Sequence, residues 1–219
     1  MKGANIVSSE KKNKRYYCPE VQPDALGNAD SFGNIEWTSE EIIDNIYEKL
    51  RLENKNYITR ELLGNDESGN HKLWCYYFTP DNYELTVYLQ AGVHGYYERQ
   101  SVWGLARVMH LIASAQKSSE ELYNLRNKVR FIVVPIVNPW SISVKDIWCK
   151  NSSGANLNRD CLNKNPQAET KCVLELLDRL KNQIDFGFDC HTNPGEIVGA
   201  LADIYSFTHI AHLPFGEKA

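Results

Sequence analysis

The sequence predicts an α/β fold, a mixed, mostly central β-sheet flanked by helices. Segments with apolar residues at helical spacing alternate with short apolar strands along the chain. Residues 131–137, FIVVPIV, are continuously apolar, as befits a strand buried on both faces. No repeat or low-complexity linker interrupts residues 37–219, which read as one α/β domain behind an irregular N-terminal extension, 1–36.

Residues 1–36 are polar, rich in Asn, Ser, Lys and Gly, and lack a period, so they offer little apolar surface to offset the entropy of ordering. Thr38 and Glu41 form a capping box, and Ile42, Ile43, Ile46, Tyr47 and Leu50 follow on one face, predicting a helix over 39–52. Residues 57–63 and 72–79 read as strands joined by the dense turn signal of 64–70, a hairpin. Residues 80–82 turn the chain into a buried strand from Leu85. That strand runs into a glycine-flanked turn presenting His94 and Glu98. Val102, Leu105, Met109 and Ile112 then mark a helix over 98–116.

A second, polar helix is expected over 118–127. The strand 131–137 ends at Asn138 and Pro139, and 140–162 reads as a long irregular stretch, a feature often functional in a compact domain. Pro166 is expected at the first position of the next helix, whose buried face is Val173, Leu176, Leu177 and Leu180. Residues 184–190 form a strand that ends in His191, and 198–207 suggest one more. His110 falls in a helix, and His71, His209 and His212 fall in turns; none of them is given a site role.

Composition narrows the function. Hydrophobic residues make up 42% and charged residues 24%, ordinary for a globular protein. A net charge of −4 without a basic stripe gives no reason to expect nucleic acid. No apolar run approaches the roughly 20 residues that span a bilayer, and the N-terminus carries no apolar signal segment, so a cytoplasmic chain is expected. Of the six cysteines, none forms a C-x-x-C pair, which argues against a thiolate zinc site; in a reducing compartment they are free thiols.

The chemistry converges on two strand ends. His94 and Glu98 follow one strand, His191 follows another, and Asn158 and Arg159 lie in the long stretch between. A lone histidine at a strand end ordinarily meets solvent or a hydrogen-bond partner, and a lone loop arginine is ordinarily solvated. Together they match a better pattern. Ligand sites in α/β sheets form at the carboxyl ends of strands, and two histidines with one glutamate are a catalytic zinc set that leaves a position for water.

These segments resemble the zinc metallocarboxypeptidases, the carboxypeptidase A-like family. AGVHGYYERQSV (91–102) resembles the first zinc-ligand segment. NP (138–139) followed by GANLNR (154–159) resembles the carboxylate-binding loop. QAETKCV (167–173) is similar to the helix start that follows, and DFGFDCHT (185–192) to the strand bearing the second zinc histidine. The resemblance covers about 57–192. It implies a mixed sheet of about eight strands between helices. It also implies one zinc per chain on His94, Glu98 and His191, with Asn158 and Arg159 binding the free carboxylate of a peptide. The implied function is removal of C-terminal residues by zinc-activated water. Alternatives are a zinc amidohydrolase of acylated amino acids and a non-catalytic zinc-containing binding module.

The sequence departs from the family pattern in four places. Three residues, not two, separate His94 from Glu98, so a one-residue bulge is expected there. Asn156 stands where the family has an aspartate supporting a zinc histidine. Cys149 and Lys150 stand where an oxyanion-steadying arginine would be sought. The family's general-base glutamate and substrate-binding tyrosine fall past Ala219, which suggests a C-terminally incomplete domain, nearly inactive as a peptidase, with Glu196 the remaining candidate base.

Overall fold

The computed structural model of the protein describes residues 37–115 and 119–191, and the backbone of strand His209–His212. The N-terminal extension, Cys18, Thr192, Glu196 and the strand expected over 198–207 lie outside the described residues.

Helix α1 runs through Ser39–Ile42, Ile43–Glu48 and Lys49–Glu53. The capping box is present, with the Thr38 hydroxyl accepting from Glu41 N–H and the Glu41 carboxylate accepting from Thr38 N–H. The middle of α1 is π-helical, which the apolar spacing alone does not reveal. Its five predicted apolar residues are nonetheless all buried, so packing against the sheet rather than an ideal period sets this face.

Strands β1 (Ile58–Asn65) and β2 (Lys72–Phe78) form the expected antiparallel hairpin, with a bulge between Leu62 and Gly64. Strand β3 (Leu85–Ala91) leads through the histidine turn into α2 (Arg99–Ser114), and α3 (Glu120–Lys128) follows, capped by Ser119. Strand β4 is Val129–Val134, shifted toward the N-terminus of the expected range. Helix α5 (Ala168–Leu180) precedes β5 (Phe186–His191) and β6 (His209–His212).

Among the described residues the six strands form one sheet in the order β1-β2-β4-β3-β5-β6. Strand β3 is parallel to both β4 and β5, whereas β2 meets β4 and β5 meets β6 antiparallel. The mixed sheet is as predicted. On β4 the two faces separate cleanly. Phe131 and Val133 pack with α1 and α2, while Ile132 and Val134 pack with Val173, Leu176 and Leu180 of α5.

Three expectations need correction. The stretch 140–162 is not wholly irregular: Asn138 accepts from Ser141 N–H and caps helix α4 (Pro139–Val144), and Leu157–Arg159 is a 3-10 turn. Pro166 is not at a first helical position, because α5 begins at Ala168. Its leading N–H groups find acceptors elsewhere, Gln167 N–H at Asp160 Oδ2 (2.6 Å) and Ala168 N–H at Glu67 Oε2 (2.8 Å), and these fix the start. His209 and His212 lie in strand β6 rather than in turns. The reason is pairing: 209–212 adds antiparallel to β5, which would otherwise expose an unpaired edge.

The described cysteines are free thiols, as expected. Cys75, on β2, is fully buried, and burial pushes its thiol up to about 12. Cys161 is exposed. A thiolate is the reactive form and must be reached by the reagent. Native protein treated with a maleimide should therefore label Cys161 rapidly and leave Cys75 unmodified until denatured, as peptide mass mapping would show.

Candidate metal centre

Because β3 and β5 are parallel neighbours, with Ala91 opposite Cys190, their carboxyl ends open at the same sheet edge. His191 is the last residue of β5, and His94 lies just past the end of β3. The turn between β3 and α2 depends on glycine. Gly92 and Gly95 have φ of +70° and +62°, a region L side chains rarely adopt. A Cβ on Gly95 would also lie 2.1 Å from the Ser141 hydroxyl of α4. That hydroxyl accepts from Tyr96 N–H (3.0 Å) and donates to the Asp146 carbonyl (3.1 Å), pinning the turn against α4. The three residues between His94 and Glu98 lie in a 3-10 turn over Gly95–Glu98 that begins in the left-handed region.

The turn brings Glu98 under both histidines. Glu98 is 0% exposed. Its Oε1 accepts from His94 N–H (2.8 Å), and its Oε2 lies 3.2 Å from His94 Nδ1 and 2.8 Å from His191 Nδ1. Burial pushes the Glu98 carboxyl up, but the bonds from His191 and His94 outweigh it and hold the group below its ordinary value. Burial pushes His191 down, yet its hydrogen bonds to Asp189 and Glu98 carry it to about 10. The far nitrogen of His191, Nε2, lies 2.8 Å from Asp189 Oδ2.

One ligand atom from each of His94, Glu98 and His191 lies within 4.8 Å of the others. Tetrahedral zinc with bonds of about 2.0–2.1 Å needs its ligand atoms about 3.3 Å apart. Glu98 Oε2 already lies 3.2 Å and 2.8 Å from the two imidazoles, and the third pair, His94 to His191, closes within 4.8 Å. The donor set, two imidazoles and a carboxylate, is one that catalytic zinc takes, with a further position left for water. The residues fit the metal.

The remaining candidates lie on the loop that follows α4. Asn158 and Arg159 sit on the 3-10 turn Leu157–Arg159; Arg159 is exposed, and its Nη1 donates to the Asn158 carbonyl (3.0 Å). Among the described residues no hydrogen bond joins either to the cluster. Asn156 turns its Oδ1 to Asn158 N–H (3.0 Å). Cys149 has φ +58°, and its thiol is raised by burial and by the nearby Glu98 charge, so this loop borders the site.

Three contributors escaped the sequence reading. Asn151 organises the 151–159 loop. Its Oδ1 accepts from Ser153 and Ala155 N–H (3.1 and 2.9 Å), and its Nδ2 reaches Gln167 and the buried Glu169. Ser141 locks the histidine turn. Asp189 stands behind His191, and its signal was in plain sight: residues i and i+2 of a strand share a face, so a D-x-H at a strand end aligns the two side chains.

Comparison with family models finds no match, and neither does comparison with curated proteins. Solved structures do match. The thrombin-activatable fibrinolysis inhibitor aligns with 88% of this chain and 57% of its own, at a TM-score of 0.65 and 16% identity. The carboxypeptidase A of Helicoverpa armigera aligns with 74% of this chain and 47% of its own, at 0.57 and 16%. A metallo-carboxypeptidase from Burkholderia cenocepacia aligns with 72% and 41%, at 0.56 and 19%. The fold is metallocarboxypeptidase-like. This chain spans 41–57% of the length of these three structures. Among the described residues no helix is long and apolar enough to cross a membrane.

Proposed function

We propose that the chain binds one zinc ion through His94, Glu98 and His191 and acts as a zinc-dependent hydrolase on peptides with a free C-terminal carboxylate. The observation that carries the reading is the convergence of those three ligand atoms within 4.8 Å around a fully buried carboxylate. Zinc bound there supplies a water of lowered pKa and a Lewis acid for the scissile carbonyl. The chain's own groups do the rest. Glu98 and the two histidines hold the metal position at the sheet edge. Arg159, with Asn158, offers a planar donor fork suited to a carboxylate. Among the described residues the carboxylates beside the cluster, Glu98 and Asp189, are engaged with imidazoles, so proton transfer falls to a group outside them, Glu196 being the nearest candidate in sequence.

A second reading is a non-catalytic zinc-containing binding module. It is favoured by Asn156, whose amide is engaged with Asn158, and by Cys149 in the bordering loop. Both readings are tested by incubating zinc-loaded protein with short peptides bearing free or amidated C-termini, and with acylated amino acids. Hydrolysis of the free-carboxylate peptides alone supports the first reading. Hydrolysis confined to acylated amino acids moves the substrate class to the amidohydrolase alternative. Binding without turnover supports the module, and neither binding nor turnover refutes both readings. Arg159→Gln should weaken free-carboxylate ligands about tenfold or more, because a bond to a charged group is worth ~1.5–3 kcal/mol, and should leave amidated peptides unaffected. Calorimetric titration of each ligand measures the difference.

A further inference from the structure

We infer that Asp189 is the positioning residue of this metal centre: it fixes His191 through Nε2 so that Nδ1 faces the metal position, and carboxylate support therefore stands behind His191 rather than His94. The inference rests on the zinc reading above and assigns a role to a residue which that reading leaves unexplained.

The geometry is local and strict. Asp189 and His191 lie on one face of β5, and Asp189 Oδ2 is 2.8 Å from His191 Nε2. A carboxylate only accepts, so each of the two ring contacts calls for a proton; a metal entering beside Glu98 would displace the one on Nδ1, while Asp189 holds the one on Nε2. Nδ1 is also the atom that faces Glu98, at 2.8 Å. The two ends of the ring thus face different groups, Nε2 toward Asp189 and Nδ1 toward Glu98.

Burial makes the contact demanding. Asp189 is 7% exposed, and among the described residues its second oxygen, Oδ1, is buried without a hydrogen-bond partner. A buried carboxylate in this condition is costly unless a cation or a strongly polarised donor faces it. The ion pair it makes is with His191. Gln90 lies opposite Asp189 in the β3–β5 register, and its Oε1 is taken by the Tyr88 hydroxyl (2.6 Å). The imidazole is the group that compensates the charge, and a metal-bound imidazole donates more strongly through its other nitrogen than a free one.

Among the described residues His94 has no equivalent support. Asn156 spends its side-chain oxygen on Asn158 N–H, and among the described residues Glu98 is the sole carboxylate contacting His94. Support by charge is therefore one-sided. An aspartate and its histidine two positions apart on one strand also cannot drift relative to each other as two loops can.

The test uses the full chain with zinc affinity measured by chelator competition, metal-free melting temperature, and long-range proton–nitrogen spectra of the histidines. In the zinc-loaded wild type His191 should carry its proton on Nε2, hydrogen-bonded and slow to exchange. Asp189→Ala should lower zinc affinity about 10–100-fold, the usual cost of removing such a partner, and the slow Nε2 proton should disappear. Asp189→Asn keeps a neutral acceptor and should recover part of both; it also decides the matter should Asp189→Ala fail to fold. Asn156→Ala should leave zinc affinity unchanged. Unchanged zinc affinity in both Asp189 variants, or an equal loss in Asn156→Ala, overturns the inference while leaving the zinc reading intact. A lowered melting temperature with unchanged affinity makes Asp189 merely structural and overturns it as well. A wild-type chain that binds no zinc overturns both.

Discussion

Replacing His94 and His191 together by alanine should abolish zinc binding at ordinary concentrations. Four-ligand structural zinc sites are worth about 10–16 kcal/mol, roughly 3 kcal/mol per ligand, so losing two ligands should cost on the order of 10⁴-fold in affinity. The metal-free protein should suffer too. Glu98 is 0% exposed, and both imidazoles that face its Oε2 would be gone, leaving the His94 backbone N–H. Removing the partners of a buried charge costs about 3–5 kcal/mol, or roughly 10 °C in melting temperature for a domain of this size. Glu98→Gln in the same background should restore part of that stability without restoring zinc. Acid should act in the same direction on the wild type. His191 holds its proton up to about 10, and the metal must displace it, so zinc affinity rises with pH and falls on acidification. Calorimetric zinc titrations at several pH values check both statements, and full zinc retention by the double variant would sink the ligand assignment.

Gly95→Ala should be the most damaging small substitution near the site. The added Cβ would meet the Ser141 hydroxyl at 2.1 Å and the Ser141 Cβ at 2.2 Å, and φ there is +62°. Left-handed backbone costs a non-glycine residue about 1–2 kcal/mol, and overpacking typically another 1–3 kcal/mol, so ~2–5 kcal/mol is expected. Relief would require α4 to move, or the turn carrying His94 and Glu98. Zinc affinity should therefore fall together with stability. Gly69→Ala is the control. Its φ is +75°, but its Cβ would meet nothing within 4 Å, so only the smaller backbone cost applies and zinc affinity should not change. Denaturant unfolding with parallel zinc titration separates the two effects; equal stability of both variants would remove Ser141 from the account.

Much of this was legible in the sequence because it depends on period and on order. The capping box at Thr38, the α2 face of Val102, Leu105, Met109 and Ile112, and the doubly buried β4 followed from local pattern, and each is present. His94, Glu98 and His191 converge because they follow two parallel neighbouring strands, which an alternating α/β pattern implies. What escaped depends on partners distant in sequence. Helix α5 starts at Ala168 because Asp160 and Glu67 accept from its first N–H groups, and no local rule foresees Glu67. The 140–162 stretch read as irregular because it is held by side chains, Ser141 on the histidine turn and Asn151 on Glu169, rather than by a hydrophobic period. Asp189 was different. Its spacing of two from His191 at a strand end puts both side chains on one face, a local signal that needs no distant partner.

The most direct test of the central claim is X-ray absorption at the zinc edge on the purified chain loaded with zinc. The account predicts one zinc per chain surrounded by nitrogen and oxygen at about 2.0–2.2 Å, with the outer scattering of two imidazoles. The sequence also offers six cysteines, and Cys149 borders the site. Sulfur at about 2.3 Å, or a spectrum showing no imidazole, would place the metal elsewhere and contradict the assignment to His94, Glu98 and His191.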